Sequence, residues 1–390
     1  MADETGALGP AAFLEWCSTR REDAITLLEE LVNIDSGPGQ IQGLTEVIEI
    51  ADREMTALGM KIERVTLEGG IPALIARSQA TGPRILLLAH LDTVFPPGTS
   101  TDRPFRRESD RAFGPGVADM KGGFVGMWLA LKCLSHAGIL PRLPVDVLVN
   151  TDEESGSGIS RSLIEHAAEQ AAWALVFEPA RPSGDLVSRR RGHRRFKVMM
   201  TGKAAHTGVE PEKGANAIVA LSKLIAALDQ AVPSFPSDTS LTVSLVSGGT
   251  GVNIVPDLAV ASVDVRVPDT DAADRIEAII SELASRTWLE GTQANLVKFA
   301  ERPPMFEVPG AKQLMATLEG AASSLGLPIR FTATGGGSDG GITSSMAVPT
   351  IDGLGPVGGG YHTADEFLLL ATLPERAAIA AAALVALLSD

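Results

Sequence analysis

Seven polar residues, each placed just after an expected strand, could do chemistry in this chain. ILLLAHLDTV carries His90 and Asp92, FGPGVADMKGG carries Asp119, and VNTDEESG carries Glu153 and Glu154. LVFEP carries Glu178 and GGGYHTADE carries His362. Two imidazoles with several carboxylates form a nitrogen and oxygen ligand set suited to zinc or a similar divalent ion. The set is large enough for two ions sharing a bridging carboxylate, with an acid left over. The H-x-D spacing lets Asp92 accept a hydrogen bond from the His90 ring and fix its tautomer, as partners of metal-bound histidines do.

The stretch VDVLVNTDEESGSGIS sharpens the point. Val145, Val147, Leu148 and Val149 read as a buried strand, and three acids, Asp152 to Glu154, stand at its tip. Adjacent carboxylates repel one another there, and desolvation raises the pKa of each. A solvated acidic loop is the bland account. Cations lying between the carboxylates are the other, and then metal binding and catalysis would both need an acid at that tip.

The elements that must position these groups follow from hydrophobic periodicity. Residues 11–33 and 41–58 have the helical period, and so do 122–137, 159–170 and 373–389. LIARS, RILLLAHLDTV, VDVLVN and WALVFEPA read as strands, the second apolar throughout, as in a central strand covered on both faces. Alternating strands and helices indicate a layered α/β domain. In open α/β sheets ligands bind at the carboxyl ends of strands, so groups that follow strands can converge. From the basic run RRRGHRRFKVMMTG to about Arg302 the order becomes strand, helix, strand, strand, helix, strand, which matches a ferredoxin-like α+β unit inserted into the first. The expected boundaries are 1–191 and 304–390 for the α/β domain and 192–303 for the insert.

Composition excludes several classes. The chain has 390 residues, 45% hydrophobic, with a formal net charge of −15, which argues against nucleic-acid and anionic-membrane partners. Two cysteines cannot build a disulfide framework or a cysteine zinc site. No apolar run suggests a membrane span, and the acidic N-terminus has no secretory signal pattern. A cytoplasmic location is expected, or a periplasmic one if a signal has been removed. GPGVADMKGG lacks the P-loop order, and PDTDAAD reads as a helix cap and not a calcium loop. TGGGSDGG could cradle an anion with backbone N–H groups or could be a flexible turn. His136 and His166 lie in helices as surface or packing residues, and His193 reads as a solvated strand start.

Taken in order, AHLDTV, GPGVADMKGG, DEESGSG, VFEP, GKAAHTG, GGTGVNIVP, TGGGSDGG and GGGYHTADE resemble the dinuclear zinc aminoacylase/carboxypeptidase family, on the side of its glutamate carboxypeptidases. The resemblance covers nearly the whole chain. It implies a zinc-exopeptidase-like catalytic domain, with the insert as lid and dimerisation domain of a homodimer. His90 and Glu178 would hold one Zn2+, Glu154 and His362 a second, and Asp119 would bridge them. Co2+ or Mn2+ could replace zinc. Asp92 would orient His90, and Glu153 would be the general base. The Asp119–Met120 peptide would be cis. His206 would stabilise the oxyanion in the partner subunit's site. Asn253, Arg266, Arg302 and the backbone at Gly337 would bind the substrate, a peptidyl or N-acyl amino acid with a free carboxylate.

One departure bears on specificity. The glutamate enzymes are expected to carry a lysine soon after VFEP, yet the stretch here is EPARPSGDLVSRRRG, with Asp185 or Leu186 at its place. Arg189 to Arg191 are the nearest cations. An N-acyl amino acid amidohydrolase, deacetylase or dipeptidase of other specificity is the alternative reading.

Overall fold

The computed structural model describes residues 10–388. They divide into two compact units: the chain up to Arg189 with Met305–Thr334 and the stretch from Ser338 on, and Arg190–Pro304 with Gly335–Gly337. Of the N-terminal stretch read for a signal, residues 1–9 lie outside the described residues.

The first unit is a layered α/β domain. Its six-stranded sheet runs in the order Lys61–Thr66, Pro72–Arg77, Val145–Asn150, Arg84–His90, Ala171–Val176 and Thr350–Ile351. The last four are mutually parallel. Strand Arg84–His90 is apolar because both its faces are covered. Ile85, Leu87 and Ala89 join a core with Leu28, Leu31, Phe124 and Leu129, while Leu86 and Leu88 meet Ile164 and Ile342 on the other face. Helix Lys121–His136 is buried on nearly all sides and reads accordingly as apolar all round. The expected first helix is two helices, Pro10–Thr19 and Arg21–Val32, because Arg20 between them leaves helical geometry at ψ 12°. A second sheet orders Arg106–Glu108, Arg111–Phe113, Phe367–Leu369, Gly355–Gly359 and Pro179–Ala180.

The second unit is an antiparallel sheet in the order Ser240–Gly248, Leu258–Val267, Gly192–Thr201 and Gln293–Arg302. Helices Ala217–Ala231 and Thr270–Ser285 complete the strand and helix order of the ferredoxin-like pattern. The two central strands alternate: Phe196, Val198, Met200, Val263 and Val265 point into one core with Leu221, Leu224 and Ile276. The PDTDAAD stretch is a helix cap, with Asp269 accepting the N–H of Ala272 at 2.7 Å. Gly335–Gly337 group with this unit, whereas the sequence placed them in the first. The reason is contact: Arg190 Nη1 donates to Gly336 O at 3.2 Å, and a Cβ on Gly337 would lie 2.5 Å from Cδ of Arg302.

Ala217–Ser234 is long and apolar enough to cross a membrane by length and composition, a stretch the sequence reading passed over. It holds Lys223 and Asp229, and its apolar face, Ala217, Ala220, Leu221, Leu224 and Leu228, is buried in the core of the insert. That is the pattern of a core helix.

Candidate metal centre

Register brings the first groups together. Strands Arg84–His90 and Val145–Asn150 run parallel and pair His90 with Asn150, so the acidic turn after Asn150 opens beside His90. Strand Ala171–Val176 pairs Val176 with Leu88, so Glu178 emerges level with His90. Asp119 stands just before helix Lys121–His136. Gly123 lets that helix press on the end of the strand, since a Cβ there would lie 1.8 Å from Phe177 O. The turn between Gly355–Gly359 and Phe367–Leu369 carries His362 at φ 61°. The Asp119–Met120 peptide is cis.

The groups converge as two clusters that share one carboxylate. His90 Nε2 lies 3.4 Å from Asp119 Oδ1, 3.5 Å from Glu178 Oε1 and 4.0 Å from Glu153 Oε2. His362 Nε2 lies 3.3 Å from Asp119 Oδ2 and 3.2 Å from Glu154 Oε1. Asp119 thus turns one oxygen to each imidazole. The Nε2 of His90 is buried without a hydrogen-bond partner while three carboxylates face it. Such an arrangement fits a divalent ion as the missing partner. Two overlapping sets have ligand atoms close enough for one ion: His90, Asp119 and Glu154, and His90, Glu153 and Glu178.

Electrostatics point the same way. The His362 imidazole is pushed up to about 10 by Asp119 and Glu154. Burial pulls His90 down, but Asp119, Asp92 and Glu178 together outweigh it and hold it well above the usual range. Burial pushes the Asp119 carboxyl up, yet the two imidazoles outweigh it and hold it low. Glu178 is pushed well up by burial and by Asp119. Protons on the imidazoles and divalent cations are alternative partners for the same carboxylates, so metal binding here releases protons.

Asp92 does more than the sequence suggested. Its Oδ1 lies 3.3 Å from Nδ1 of His90, and that nitrogen is also 3.1 Å from the Asp92 carbonyl. The same carboxylate accepts the backbone N–H of Glu153 at 3.2 Å and of Glu154 at 2.9 Å. Three buried residues escaped sequence reading. Glu366 accepts backbone N–H groups from the loop that carries Asp119. Lys121, set aside there as a phosphate lysine, donates from Nζ to Leu31 O and Ile34 O, both at 2.9 Å, and caps helix Arg21–Val32. Burial lowers its ammonium to about 7. Asp339 accepts from Asn150 Nδ2 at 2.7 Å and from the Ser157 hydroxyl, tying down the far end of the acidic turn. Each stands in a stretch quoted above, but no spacing marks its partner, because each acts across a long separation in sequence.

The other candidates lie on the insert. His206 and Asn253 are exposed on adjoining loops, where Thr207 N donates to Asn253 O at 3.1 Å. Arg266 and Arg302 stand on either side of His193, each its direct cross-strand neighbour. His193 stands at the start of its strand as expected, but it is half-buried, with its Nδ1 buried without a hydrogen-bond partner. Arg266 Nε is held by Asp264 at 2.7 Å, and Asp264 also accepts from Arg195 Nε at 2.9 Å. The other two histidines are as expected: His136 stacks on Trp16 with centroids 5.2 Å apart, and His166 pairs with Glu169 on the surface. Of the two residues at the place of the expected lysine, Asp185 accepts from the Ser183 hydroxyl at 2.8 Å and Leu186 is buried.

A histidine and carboxylate cluster, in an α/β domain with an α+β insert, is a site that can hold divalent ions, as the sites of metal-dependent hydrolases do. The model of peptidase family M20/M25/M40 matches residues 86–386, and the chain belongs to that family. It is 32% identical over 366 residues to carboxypeptidase G2 from Pseudomonas sp. (strain RS-16), covering 92% of this chain and 87% of that one. It is 30% identical over 342 residues to succinyl-diaminopimelate desuccinylase from Xanthomonas oryzae pv. oryzae (strain MAFF 311018), covering 82% and 87%. Among solved structures, aminopeptidase PepT from Bacillus cereus shares the fold with a TM-score of 0.77 at 23% identity, covering 95% of this chain and 99% of that one.

Proposed function

We propose that this chain hydrolyses the amide bond of a peptidyl or N-acyl amino acid with a free C-terminal carboxylate, in the manner of a glutamate carboxypeptidase. Two Zn2+ ions per subunit would serve it. The observation that carries the reading is Asp119, whose two oxygens face two histidines that each have a further carboxylate, Glu178 for His90 and Glu154 for His362. The 32% identity to a carboxypeptidase supports the substrate class.

Two divalent ions in these positions would polarise the scissile carbonyl and lower the pKa of a water. His90 and Glu178 would hold one, His362 and Glu154 the other, and Asp119 both. Glu153 is the general base: it takes a proton from the attacking water as the C–O bond forms and returns it to the amine nitrogen as the C–N bond breaks. Asp92 fixes the backbone from which both Glu153 and Glu154 project. His206 supplies an imidazole N–H to the developing oxyanion. Arg302 and the backbone at Gly337 take the substrate carboxylate, a group that arginine holds bidentately, and Asn253 and Arg266 help to bind the substrate.

Asp185 and Leu186 favour a second reading, an N-acyl amino acid amidohydrolase, deacetylase or dipeptidase not selective for glutamate, because neither a carboxylate nor a buried apolar side chain can pair with a glutamate side chain. A homodimer through the insert is supported by the unpaired edge strand Ser240–Gly248 and by the exposed apolar side chains Leu245, Val246, Ile218 and Val219. The deciding experiment is a hydrolysis screen of zinc-loaded protein on N-acyl and folyl-type conjugates of glutamate, aspartate, leucine, phenylalanine and ornithine, with a chelated control. Chelator-sensitive cleavage led by glutamate supports the first reading. Preference for apolar or basic residues supports the second, and no cleavage of any conjugate defeats both.

A further inference from the structure

Beside the proposed metal ligands stands a carboxylate that no step of the hydrolysis uses. Glu366 is 1% exposed. Its Oε2 accepts the N–H of Gly116 at 2.8 Å, and its Oε1 accepts those of Ala118 at 2.9 Å and Asp119 at 3.0 Å. One buried anion thus collects three backbone donors from the loop that ends in Asp119. Glu366 also precedes strand Phe367–Leu369, in the hairpin whose turn carries His362. It therefore ties the backbone of the Asp119 loop directly to the hairpin of His362.

We propose that Glu366 is a positioning residue for the metal centre, holding the Asp119 carboxylate opposite His362 by anchoring the Gly116–Asp119 backbone. This rests on the reading of Asp119 and His362 as ligands of a shared centre. The chemistry calls for a carboxylate in particular. Burial pushes the Glu366 carboxyl up to about 7 while the three N–H donors pull it back toward the ionised form. Ionised, it is acceptor-only on both oxygens, and hydrogen bonds to a charged acceptor are roughly twice as strong as neutral ones. A glutamine of the same shape has one acceptor oxygen and one NH2 group. Whichever way it turns, the NH2 meets either the Gly116 N–H or the pair from Ala118 and Asp119. The loop must then shift, and the Asp119 side chain, whose Oδ2 lies 3.3 Å from His362 Nε2, shifts with it.

The test is a titration of metal-free full-length protein with Co2+, read by visible absorption, which needs no activity. Glu366→Gln is expected to bind Co2+ about 10- to 100-fold more weakly, the usual consequence of losing a residue that orients a ligand, with a changed ligand-field spectrum. Glu366→Asp keeps two acceptor oxygens and should recover part of the affinity. Asp119→Asn is measured alongside, with the unfolding temperature of every metal-free variant. Wild-type affinity and spectrum in Glu366→Gln overturn the proposal, and so does Glu366→Asp binding no better than Glu366→Gln. Unfolding of both Glu366 variants also overturns it, because the residue would then serve the fold as a whole. If Asp119→Asn binds as the wild type does, the assignment of Asp119 as a ligand falls; if it alone weakens binding, only the role of Glu366 falls.

Discussion

Asp92 accepts the backbone N–H of Glu154 at 2.9 Å and that of Glu153 at 3.2 Å, one with each carboxylate oxygen, while standing 3.3 Å from Nδ1 of His90. One buried carboxylate therefore sets the geometry of His90 and of the acidic turn together. Asp92→Asn keeps the shape but turns an NH2 group toward one of the two backbone donors. A loss of about 10- to 100-fold in metal affinity or kcat is expected, the range for residues that orient metal ligands. Zinc titration with steady-state kinetics checks it; an effect below two-fold on both (about the error of such assays) counts against the clamp.

Glu153→Gln should separate chemistry from binding. Glutamine cannot take a proton from water, so kcat should fall by at least about 10²- to 10⁴-fold, the contribution usual for a general base. Zinc content, measured by elemental analysis, should stay near that of the wild type, because His90, Asp119, Glu154, Glu178 and His362 remain. Loss of zinc would show that Glu153 is itself a ligand, which its 4.0 Å approach to His90 Nε2 makes the sharpest rival assignment.

His206→Ala should lower kcat by about 10²- to 10³-fold with zinc retained, the effect of removing one oxyanion donor. If the proposed homodimer shares its sites, mixing this variant with Glu153→Gln should restore activity, since a mixed dimer regains one intact set of residues. Absence of rescue after subunit exchange has been demonstrated, for example by mass-tagged copies, would place all the machinery in one subunit.

His193 supplies a stability prediction. Burial, then Arg195, Arg266 and Arg302, depress its imidazole to about 4, with Asp264 pulling the other way. A histidine depressed in the folded state favours folding above its unfolded value of about 6.5. That contribution is lost as pH falls toward the folded value, because only the unfolded chain takes up the proton. Urea unfolding at about pH 7.5 and about pH 5.5 should therefore show a smaller drop in midpoint for His193→Gln than for the wild type. An identical drop in both would remove His193 from the account.

Much of this protein was determined by sequence alone, for a physical reason. An apolar run such as ILLLAH has to be a covered strand, and polar groups that follow such strands have to emerge at the carboxyl edge of the sheet. His90, Glu153, Glu154 and Glu178 could be gathered on that argument, and the βαββαβ order of the insert could be read from periodicity. What only the tertiary structure decided are relations across the chain between side chains and backbone. Glu366 meets the N–H of Asp119 across 247 residues, and Lys121 reaches Leu31 O across 90. Both stand in stretches the sequence marks, but no spacing marks their partners, because a backbone donor or acceptor looks the same at every residue until packing removes its water. His193 read as solvated by its neighbours in sequence, and it was the register of two adjacent strands that set it between Arg266 and Arg302. Local pattern dictates which elements form and which groups stand at their ends. Burial and cross-strand register decide which of those groups must answer one another.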